Sequence, residues 1–463
     1  MNLCERIKAI VGANGWIDAA ELRQRPVDFW NATPTHALGL ARPASTEALS
    51  ALLALCNEAR QPLIIEGGRT NLVSATLGDA QTLLVSLERL NAIGRPDAGA
   101  MTLEVGAGAV LEHVQQVCAA ADLRFGLDFG ARGSASIGGA LSTNAGGFQA
   151  LRYGVARDQV LGLECVLADG TVLSHLSSYA KDNTGYDLKH LFIGSEGTLG
   201  VITKAVLKLQ PKPTSCHTAL LAFASFEQVI ATLTALRRSL NGTLSAFELM
   251  WQEFFQFNVD ALLQGRAPLD ASYPYYALCE VEGFAGEHDG EHFQTLISDL
   301  FDSGSVVDAV IANSERQRAE LWRIREEFED EIQLFSTLID FDVSLPLPRI
   351  EHFADQVREA LALQFPENLG LHVLAHLGDG NVHVTTGLPS AARKDDLKRC
   401  VYRIIAELGG SISAEHGIGL AKKAYLHYSR SPGELALMRT LKGALDPHNI
   451  LNPGKVIDAA TPN

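Results

Sequence analysis

The chain has 463 residues, of which 47% are hydrophobic, and its 54 acidic and 38 basic side chains give a formal net charge of −16. This length predicts two or more domains with sizeable cores. The acidity argues against nucleic acid as a partner, because phosphate binding needs a concentrated basic surface. No apolar run reaches the roughly 18 residues that would predict a membrane span.

Cysteine usage and the first residues bear on the cellular compartment. The seven cysteines are scattered and never spaced as CxxC, which favours free thiols in a reducing compartment. Residues 1–16 carry charged and polar side chains where a signal peptide would need an apolar run. We therefore expect a soluble cytoplasmic protein.

Secondary-structure signals in the first half alternate between helix and strand. Residues 43–60 predict a helix capped by Ser45 or Thr46, with leucines along one face. Strand-like runs follow at 63–68, 82–87, 102–108 and 159–174. The last run contains Asp169-Gly170, which predicts a hairpin. A further apolar run ends near Pro211 and Pro213, where we place a domain boundary.

The second half continues this alternation. Helical patterns cover 223–240, 313–332 and 348–364, and a strand-like run covers 340–346. Residues 287–292 combine glutamate, aspartate and histidine, and we interpret them as a solvated polar loop. Together with the first half, these signals predict a mixed α and β fold.

Three segments of the first half are rich in glycine: 66–71, 128–147 and 193–200. Glycine lets backbone N–H groups approach a ligand, and rows of such groups suit a pyrophosphate. One such segment alone signals only turns, but three beside apolar runs favour a nucleotide cofactor. A Rossmann fold is not favoured, because Leu111 occupies the third glycine position after Gly106 and Gly108.

Two segments near the C-terminus, 376–383 and 413–419, carry residues typical of a metal site. His376, His383 and Glu415 offer two imidazoles and a carboxylate, which suit Zn²⁺ with an open position for substrate. His416 adjoins the glutamate and could act as a general base.

The spacing of the two ligand histidines also predicts local structure. His376 and His383 are an odd number of residues apart, so they would face opposite sides of one strand. Asp379-Gly380 between them predicts a turn that would avoid this. A lone histidine is more often a satisfied polar residue than a ligand, and we interpret His372 in that way, or as a neighbour that supports the ligands.

Seven motifs, taken in order, resemble those of one family. They are EGGRT, GARGSASIGGALSTNAGG, RYG, KDNTGYDLKHLFIGSEGTLGVIT, HLGDGNVH, SAEHGIG and ILNPGK. The chain thereby resembles the FAD-linked D-2-hydroxyacid dehydrogenases of the vanillyl-alcohol oxidase superfamily, over about residues 40–457. That family includes D-2-hydroxyglutarate and D-lactate dehydrogenases and the glycolate oxidase catalytic subunit.

The resemblance implies an α+β fold with three parts. Residues 1–212 would form a two-subdomain FAD-binding domain, and 213–430 a cap domain with an antiparallel sheet and the metal site. Residues 431–463 would return to the FAD domain. The implied reaction is oxidation of a D-2-hydroxyacid to the 2-oxoacid, with hydride passing to the flavin and Zn²⁺ or another divalent metal such as Mn²⁺ at the site.

The resemblance also assigns FAD contacts. Gly67, Gly68, Arg69, Thr70 and Asn71 would hold the pyrophosphate. Gly133, Ser134, Ile137, Gly138, Gly139, Thr143, Asn144 and Gly147 would line the flavin and ribityl side. Glu196, Gly200, Val201 and Ile202 would contact the adenine half, and Asn452 would lie near the ring. No histidine or cysteine stands at the covalent attachment points used elsewhere in the superfamily, which implies non-covalent FAD.

Arg325 resembles the family arginine that meets a substrate carboxylate. The alternative is a helix-surface arginine paired with Glu329. Compared with D-2-hydroxyglutarate dehydrogenases, Asp340 replaces a lysine, Glu329 a threonine and Thr385 an asparagine. The two new carboxylates would repel a second substrate carboxylate, so we expect a neutral, hydroxylated or cationic distal end. Alternatively, Asp340 simply pairs with Arg325 or another local cation.

Other functions remain open at this point. The chain could be a D-2-hydroxyglutarate or D-lactate dehydrogenase proper, an oxidase that uses O₂, or an electron-transfer subunit without its own substrate. The resemblance implies an acceptor such as an electron-transfer flavoprotein or a quinone, and a homodimer.

Overall fold

The structure, a computed structural model, describes residues 2–327 and 334–459. Its strands are β1 Trp16–Asp18, β2 Gly39–Ala41, β3 Leu63–Glu66, β4 Leu83–Ser86, β5 Thr102–Gly106, β6 Leu123–Arg124, β7 Val160–Val166, β8 Val172–His175, β9 Val201–Lys208, β10 Gln210–Pro211, β11 Ser215–Phe223, β12 Leu244–Trp251, β13 Tyr275–Gly283, β14 Asp308–Ile311, β15 Thr337–Ser344, β16 Leu371–His376 and β17 Asn381–Leu388. Its α-helices are α1 Leu3–Val11, α2 Ala19–Leu22, α3 Thr46–Ala59, α4 Leu111–Ala119, α5 Ile137–Thr143, α6 Ala150–Tyr153, α7 Lys189–Phe192, α8 Phe226–Ser239, α9 Gln252–Leu263, α10 Glu287–Asp302, α11 Glu315–Glu326, α12 Ile350–Gln364, α13 Lys394–Glu407 and α14 Pro432–Leu445.

The chain divides into two compact units. Unit 1 takes in the described residues of Met1–Gly147, Gly154–Lys212 and Glu415–Asn463. Unit 2 takes in those of Phe148–Tyr153 and Pro213–Ala414. The sequence predicts the C-terminal return at residue 431, whereas unit 1 resumes at Glu415.

Unit 1 contains two four-stranded sheets. One has the order β1-β2-β4-β3, with β2 and β3 parallel to β4. The other, β5-β9-β7-β8, is antiparallel. The predicted helix after Ser45 is α3, and the Ser45 side chain accepts the Ala48 N–H. The predicted Asp169-Gly170 hairpin joins β7 to β8, and Gly170 takes the positive φ of +89° that this turn requires.

Unit 2 is built on a seven-stranded antiparallel sheet with the order β14-β11-β13-β12-β16-β17-β15. Alternate side chains point to opposite faces of a sheet. One face of the central strands is apolar, with Phe247, Leu249, Ala375, Val384 and Phe341 each at most 1% exposed. The opposite face carries buried polar residues, among them Glu248 and His376, beside apolar ones such as Met250 and Leu374.

Two local expectations need correction. Residues 287–292 form the start of helix α10 rather than a loop, although His288 and His292 are exposed as expected. The helix predicted over 313–332 is observed as α11, ending at Glu326, and residues 328–333 lie outside the described residues.

Candidate active site

Two glycine-rich segments of unit 1 pack directly against each other. A Cβ on Gly68 would lie 2.0 Å from the carbonyl oxygen of Ser134, and a Cβ on Gly67 would lie 2.3 Å from Oγ of Ser136. A Cβ on Gly68 would push the two backbones apart, whereas a Cβ on Gly67 would displace only the Ser136 side chain. The predicted pyrophosphate and flavin segments are thus adjacent, and we call the two together the glycine-lined cradle. Glycine-lined backbone of this kind suits a dinucleotide.

Two arginines, Arg69 and Arg25, lie at or near the predicted pyrophosphate loop. Arg69 adopts a positive φ of +57°, and its Nη1 donates to the carbonyl oxygen of Pro26 over 3.1 Å. The Asn71 side chain caps the loop by accepting the Ala75 N–H at 2.8 Å. Arg25, which no sequence motif singled out, forms an ion pair with Glu66 at the end of β3. Burial raises the pKa of Glu66, and the Arg25 charge opposes that rise.

The flavin-side segment begins helix α5. Ser136 caps this helix by accepting the Gly139 N–H, and a Cβ on Gly138 would lie 2.6 Å from Cβ of Ala107. Asn144 ends the helix with a φ of +54° and accepts the Arg157 N–H. The other residues predicted on this side are in the same stretch of unit 1: Gly133, Ser134, Ile137, Thr143 and Gly147.

The end of this segment contacts one predicted metal ligand. The Gly147 N–H donates to Oε1 of Glu415 over 2.6 Å, and both residues belong to unit 1. Glu415 and His416 are half-buried. Glu415 is therefore positioned by the glycine-rich segment itself.

Glu196 and Asn452 fix the chain around His416. The Glu196 carboxylate accepts the N–H groups of Ile418 and Gly419 over 2.7 and 2.8 Å. The Asn452 side chain donates to the Glu196 carbonyl oxygen and accepts the Ile65 N–H. Their proposed contacts with the adenine half and the ring remain predictions. The proposed contacts of Thr70 with the pyrophosphate and of Gly200, Val201 and Ile202 with the adenine half also remain predictions. Val201 and Ile202 are buried in β9.

The two predicted histidine ligands in unit 2 lie side by side. His376 ends β16 and His383 is in β17, and the predicted turn at Asp379-Gly380 joins the strands, with Gly380 at a φ of +83°. Their ring centroids are 5.2 Å apart, and each offers a ring nitrogen within 4.8 Å of the other. One metal ion can reach both nitrogens, since Zn–N bonds are about 2.0–2.1 Å long.

Arg325 is buried against the same face of the sheet. It is 1% exposed, and its Nε donates to Oε2 of Glu248 over 2.8 Å. Its Nη2 lies 3.3 Å from Nε2 of His376, and its guanidinium lies 5.7 Å from the ring of Phe148. The alternative of a helix-surface arginine is therefore wrong. Glu329 lies outside the described residues.

Two buried carboxylates on this face were missed by sequence reasoning. Glu248 on β12 contacts Nδ1 of His376 at 2.8 Å. Burial raises the pKa of Glu248, but attraction by His376 and Arg325 outweighs burial and leaves the pKa lowered. Asp342 on β15 is the register partner of His383 and accepts from the Asn381 side chain over 3.0 Å. The sequence signal that could have found them is a carboxylate within a strand of otherwise mostly apolar residues.

A row of three residues crosses the sheet two positions beyond His383. Asp340, Thr385 and His372 are register partners on adjacent strands, so their side chains share this face. His372 is buried among the rings of Phe254, Phe257 and Phe335, with the Phe257 centroid 5.0 Å away. The row places two of the four predicted substrate residues, Asp340 and Thr385, beside one another.

A second cluster on the sheet combines Cys216, Glu280 and Glu282. Glu280 accepts from Arg318 at 2.8 Å and from the Trp322 indole at 2.7 Å. Glu282 accepts from the Tyr153 hydroxyl at 2.9 Å. These carboxylates are engaged by protein donors, which fits a buried polar network better than a metal site.

Comparison with known proteins agrees with this architecture. Residues 37–175 match the family described as FAD binding domain, and residues 212–456 match FAD linked oxidases, C-terminal domain. A solved alkyldihydroxyacetonephosphate synthase shares the fold, with a TM-score of 0.75 and 18% identity over 97% of this chain and 85% of that chain. A 4-ethylphenol oxidase from Gulosibacter chungangensis has a TM-score of 0.73 and 18% identity, over 99% of this chain and 97% of that chain.

Sequence relatives are more similar. D-2-hydroxyglutarate dehydrogenase of Bos taurus, a mitochondrial protein, is 39% identical over 95% of this chain and 80% of its own length. A protein of Schizosaccharomyces pombe that carries the name of a mitochondrial D-lactate dehydrogenase is 34% identical over 97% of this chain and 89% of its own length. D-2-hydroxyglutarate dehydrogenase of Xanthomonas citri is 35% identical over 96% of this chain and 95% of its own length.

Fold and cradle together define an FAD-dependent oxidoreductase with the architecture of the vanillyl-alcohol oxidase type. Within that class, the chain belongs to the family of FAD-linked D-2-hydroxyacid dehydrogenases. The predicted family and α+β fold are confirmed.

The predicted cytoplasmic location is wrong. The relatives from Bos taurus, Schizosaccharomyces pombe and Rattus norvegicus are named as mitochondrial. All seven cysteines are free, as a reducing compartment requires, but that property does not distinguish one reducing compartment from another. Among residues 2–327 and 334–459, no helix has the length and apolar character needed to cross a membrane.

Proposed function

We propose that the chain oxidises a D-2-hydroxyacid to the 2-oxoacid, with non-covalent FAD and a divalent metal, Zn²⁺ or Mn²⁺. One observation carries this proposal: His376, His383 and the buried Arg325 share one face of the unit 2 sheet, with 3.3 Å between Nη2 of Arg325 and Nε2 of His376. Metal-binding imidazoles beside a guanidinium suit a molecule with a hydroxyl next to a carboxylate. The names of the relatives support the same substrate class.

The glycine-lined cradle would hold the FAD. Gly68 keeps the two backbone segments in contact, so amide groups of both can approach the pyrophosphate. Arg69 would offset part of its charge, while the charge of Arg25 is paired with Glu66. FAD, when bound, supplies the acceptor for the hydride from the substrate carbon.

His376, His383 and Glu415 would hold the metal. The chain leaves unit 2 at Ala414, whose N–H donates to the carbonyl oxygen of Asp342 over 3.3 Å, and Glu415 is the next residue. Two neutral imidazoles and one carboxylate fit a catalytic zinc site that keeps a position for substrate. A divalent metal, when bound, supplies a positive charge that acidifies a coordinated hydroxyl.

Arg325 and His416 would act on the substrate directly. Arg325 would orient the substrate by binding its carboxylate in two parallel hydrogen bonds. A neutral ring nitrogen of His416 would take the hydroxyl proton. The Glu196 carboxylate would hold the His416 loop through the N–H groups of Ile418 and Gly419.

We further propose that the distal end of the substrate is neutral, hydroxylated or cationic. Asp340 and Thr385 are neighbours on the face that carries His383, two positions along β17. A second carboxylate placed there would be repelled by Asp340. The acceptor of the electrons would be an electron-transfer flavoprotein or a quinone.

Substrate-dependent bleaching of the flavin without oxygen tests this proposal. D- and L-enantiomers of lactate, 2-hydroxyglutarate and a longer 2-hydroxyacid with a hydroxyl or amino group are compared. We expect the D-enantiomers alone to bleach the flavin, with the longer neutral or cationic acid used best. Preference for D-2-hydroxyglutarate would refute the distal-end proposal, and bleaching by no 2-hydroxyacid would refute the reaction. Stoichiometric peroxide in air would identify O₂ as the acceptor instead.

A further inference from the structure

We propose that Glu248 is a positioning residue that sets both the ring tautomer of His376 and the direction of the Arg325 guanidinium. The inference rests on the proposed function, because it gives Glu248 a task only if His376 binds metal and Arg325 binds substrate. Neither the sequence motifs nor the family resemblance points to this residue.

Glu248 is buried, and its partners are the two residues His376 and Arg325. It lies within β12 and is 1% exposed, while Phe247 and Leu249 on either side point to the opposite, apolar face. Its register partner on the neighbouring strand β16 is His376. A buried carboxylate is costly unless it is paired, so its partners define its role.

The contact with His376 determines which ring nitrogen can bind a metal. Nδ1 of His376 lies 2.9 Å from Oε1 and 2.8 Å from Oε2 of Glu248. An ionised carboxylate can only accept, so Nδ1 must carry the hydrogen. Nε2 then bears the lone pair, which faces Nη2 of Arg325 at 3.3 Å and which a metal would take in place of that donor. Metal-binding histidines are commonly oriented by a carboxylate in this way.

The contact with Arg325 determines which edge of the guanidinium is left for substrate. Glu248 accepts from Nε over 2.8 Å, a bond that does not use the Nη groups, although Nη2 also lies 3.3 Å from Nε2 of His376. A metal held by Nε2 would replace that contact, and both Nη groups could then engage a planar carboxylate in two parallel bonds. A single side chain would thus hold the metal ligand and the substrate-binding residue in fixed relation to each other.

The chain offers a matched control in Glu280. It lies on β13, the strand adjacent to β12, and shares the face of Glu248. It is also 1% exposed and also accepts from an arginine Nε over 2.8 Å, in this case that of Arg318. Its partners include neither a proposed metal ligand nor a proposed substrate residue. Neutralising it reproduces the loss of a buried ion pair without touching His376 or Arg325.

The experiment compares Glu248→Gln with Glu280→Gln in the full flavin-loaded protein. Zn²⁺ affinity is measured by competition with a chelator, and KM and kcat are measured separately at saturating metal. For Glu248→Gln we expect Zn²⁺ affinity to fall by about 10- to 100-fold, KM to rise and flavin content to stay unchanged. For Glu280→Gln we expect lower resistance to urea with unchanged Zn²⁺ affinity and KM.

Two outcomes would overturn the assignment: wild-type Zn²⁺ affinity and KM in Glu248→Gln, or an equal loss of both in Glu280→Gln. If Glu248→Gln does not fold, Glu248→Asp retains the charge on a side chain one methylene shorter, and the same direction of change is expected. Wild-type protein that binds no divalent metal would refute the proposed function itself. If the wild-type protein binds Zn²⁺ and turns over substrate, and Glu248→Gln does both equally well, only the role of Glu248 is refuted.

Discussion

The glycine-lined cradle of unit 1 predicts that Gly68→Ala will release the flavin. A Cβ at this position would lie 2.0 Å from the carbonyl oxygen of Ser134, 2.8 Å from its carbonyl carbon and 2.9 Å from Cα of Ala135. All three atoms belong to the backbone, so no side-chain rotation can relieve the clash. The two segments must separate by over about 1 Å, because ordinary contact distances begin near 3.4 Å.

The magnitude follows from what that separation disrupts. Overpacking of this kind costs about 1–3 kcal/mol of unfolding free energy. Loss of one charge-assisted hydrogen bond to the pyrophosphate would weaken binding by about 1.5–3 kcal/mol, or at least roughly tenfold in affinity. The assay measures flavin per chain from visible absorbance, together with the urea midpoint.

Gly130→Ala is the matched control. It lies at a negative φ in the other segment of the cradle, residues 128–147, and a Cβ there would meet nothing within 4 Å. Its substitution is expected to keep the flavin and to leave stability unchanged or raised by about 0.4–1 kcal/mol. Full flavin content in Gly68→Ala, with the same urea midpoint as Gly130→Ala, would refute the cradle.

Three other predictions concern separate parts of the molecule. Arg325→Lys cannot make two parallel hydrogen bonds to the substrate carboxylate, so kcat/KM should fall roughly 10- to 150-fold in steady-state assays. An unchanged kcat/KM would exclude the proposed carboxylate contact. Lys442→Met leaves the buried Asp446 carboxylate without its ion-pair partner, so urea unfolding should show a loss of about 3–5 kcal/mol, and a loss below about 1 kcal/mol would contradict the buried pair. Burial raises the pKa of Cys56 and of Cys165 to about 12, so both should resist iodoacetamide in the folded protein near neutral pH. Their contribution to stability should be complete below about pH 9 and disappear as the pH rises through 12, and native labelling as fast as that of the half-buried Cys4 would contradict this.

Much of the fold could be predicted because local signals and tertiary contacts agree. The helix after Ser45, the Asp169-Gly170 hairpin and the Asp379-Gly380 turn each depend on a capping or turn residue close in sequence. The prediction of a loop at residues 287–292 is wrong, because their charged side chains favour a loop on composition alone. The charged residues 287–292 instead begin a helix whose apolar face is buried further along, at Phe293 and Ile297.

The candidate site could be predicted only where its residues stand in motifs. His376 and His383 are seven positions apart and joined by one hairpin, so their proximity follows from sequence. Glu248 lies on a strand more than a hundred residues earlier, and only the strand order β12-β16 makes it the neighbour of His376. Arg25 likewise reaches Glu66 through tertiary folding. Contacts of this kind depend on register and strand order, which a single sequence does not reveal.

Reduction of the bound flavin by a D-2-hydroxyacid, before and after removal of the metal, tests the central claim most directly. The holoprotein is mixed anaerobically with D-lactate, then treated with a chelator, and finally given back Zn²⁺ or Mn²⁺. We predict rapid bleaching in the holoprotein, at least about tenfold slower bleaching after chelation, and recovery when the metal is returned. Equal rates in all three states would contradict a metal held by His376 and His383 as part of the reaction.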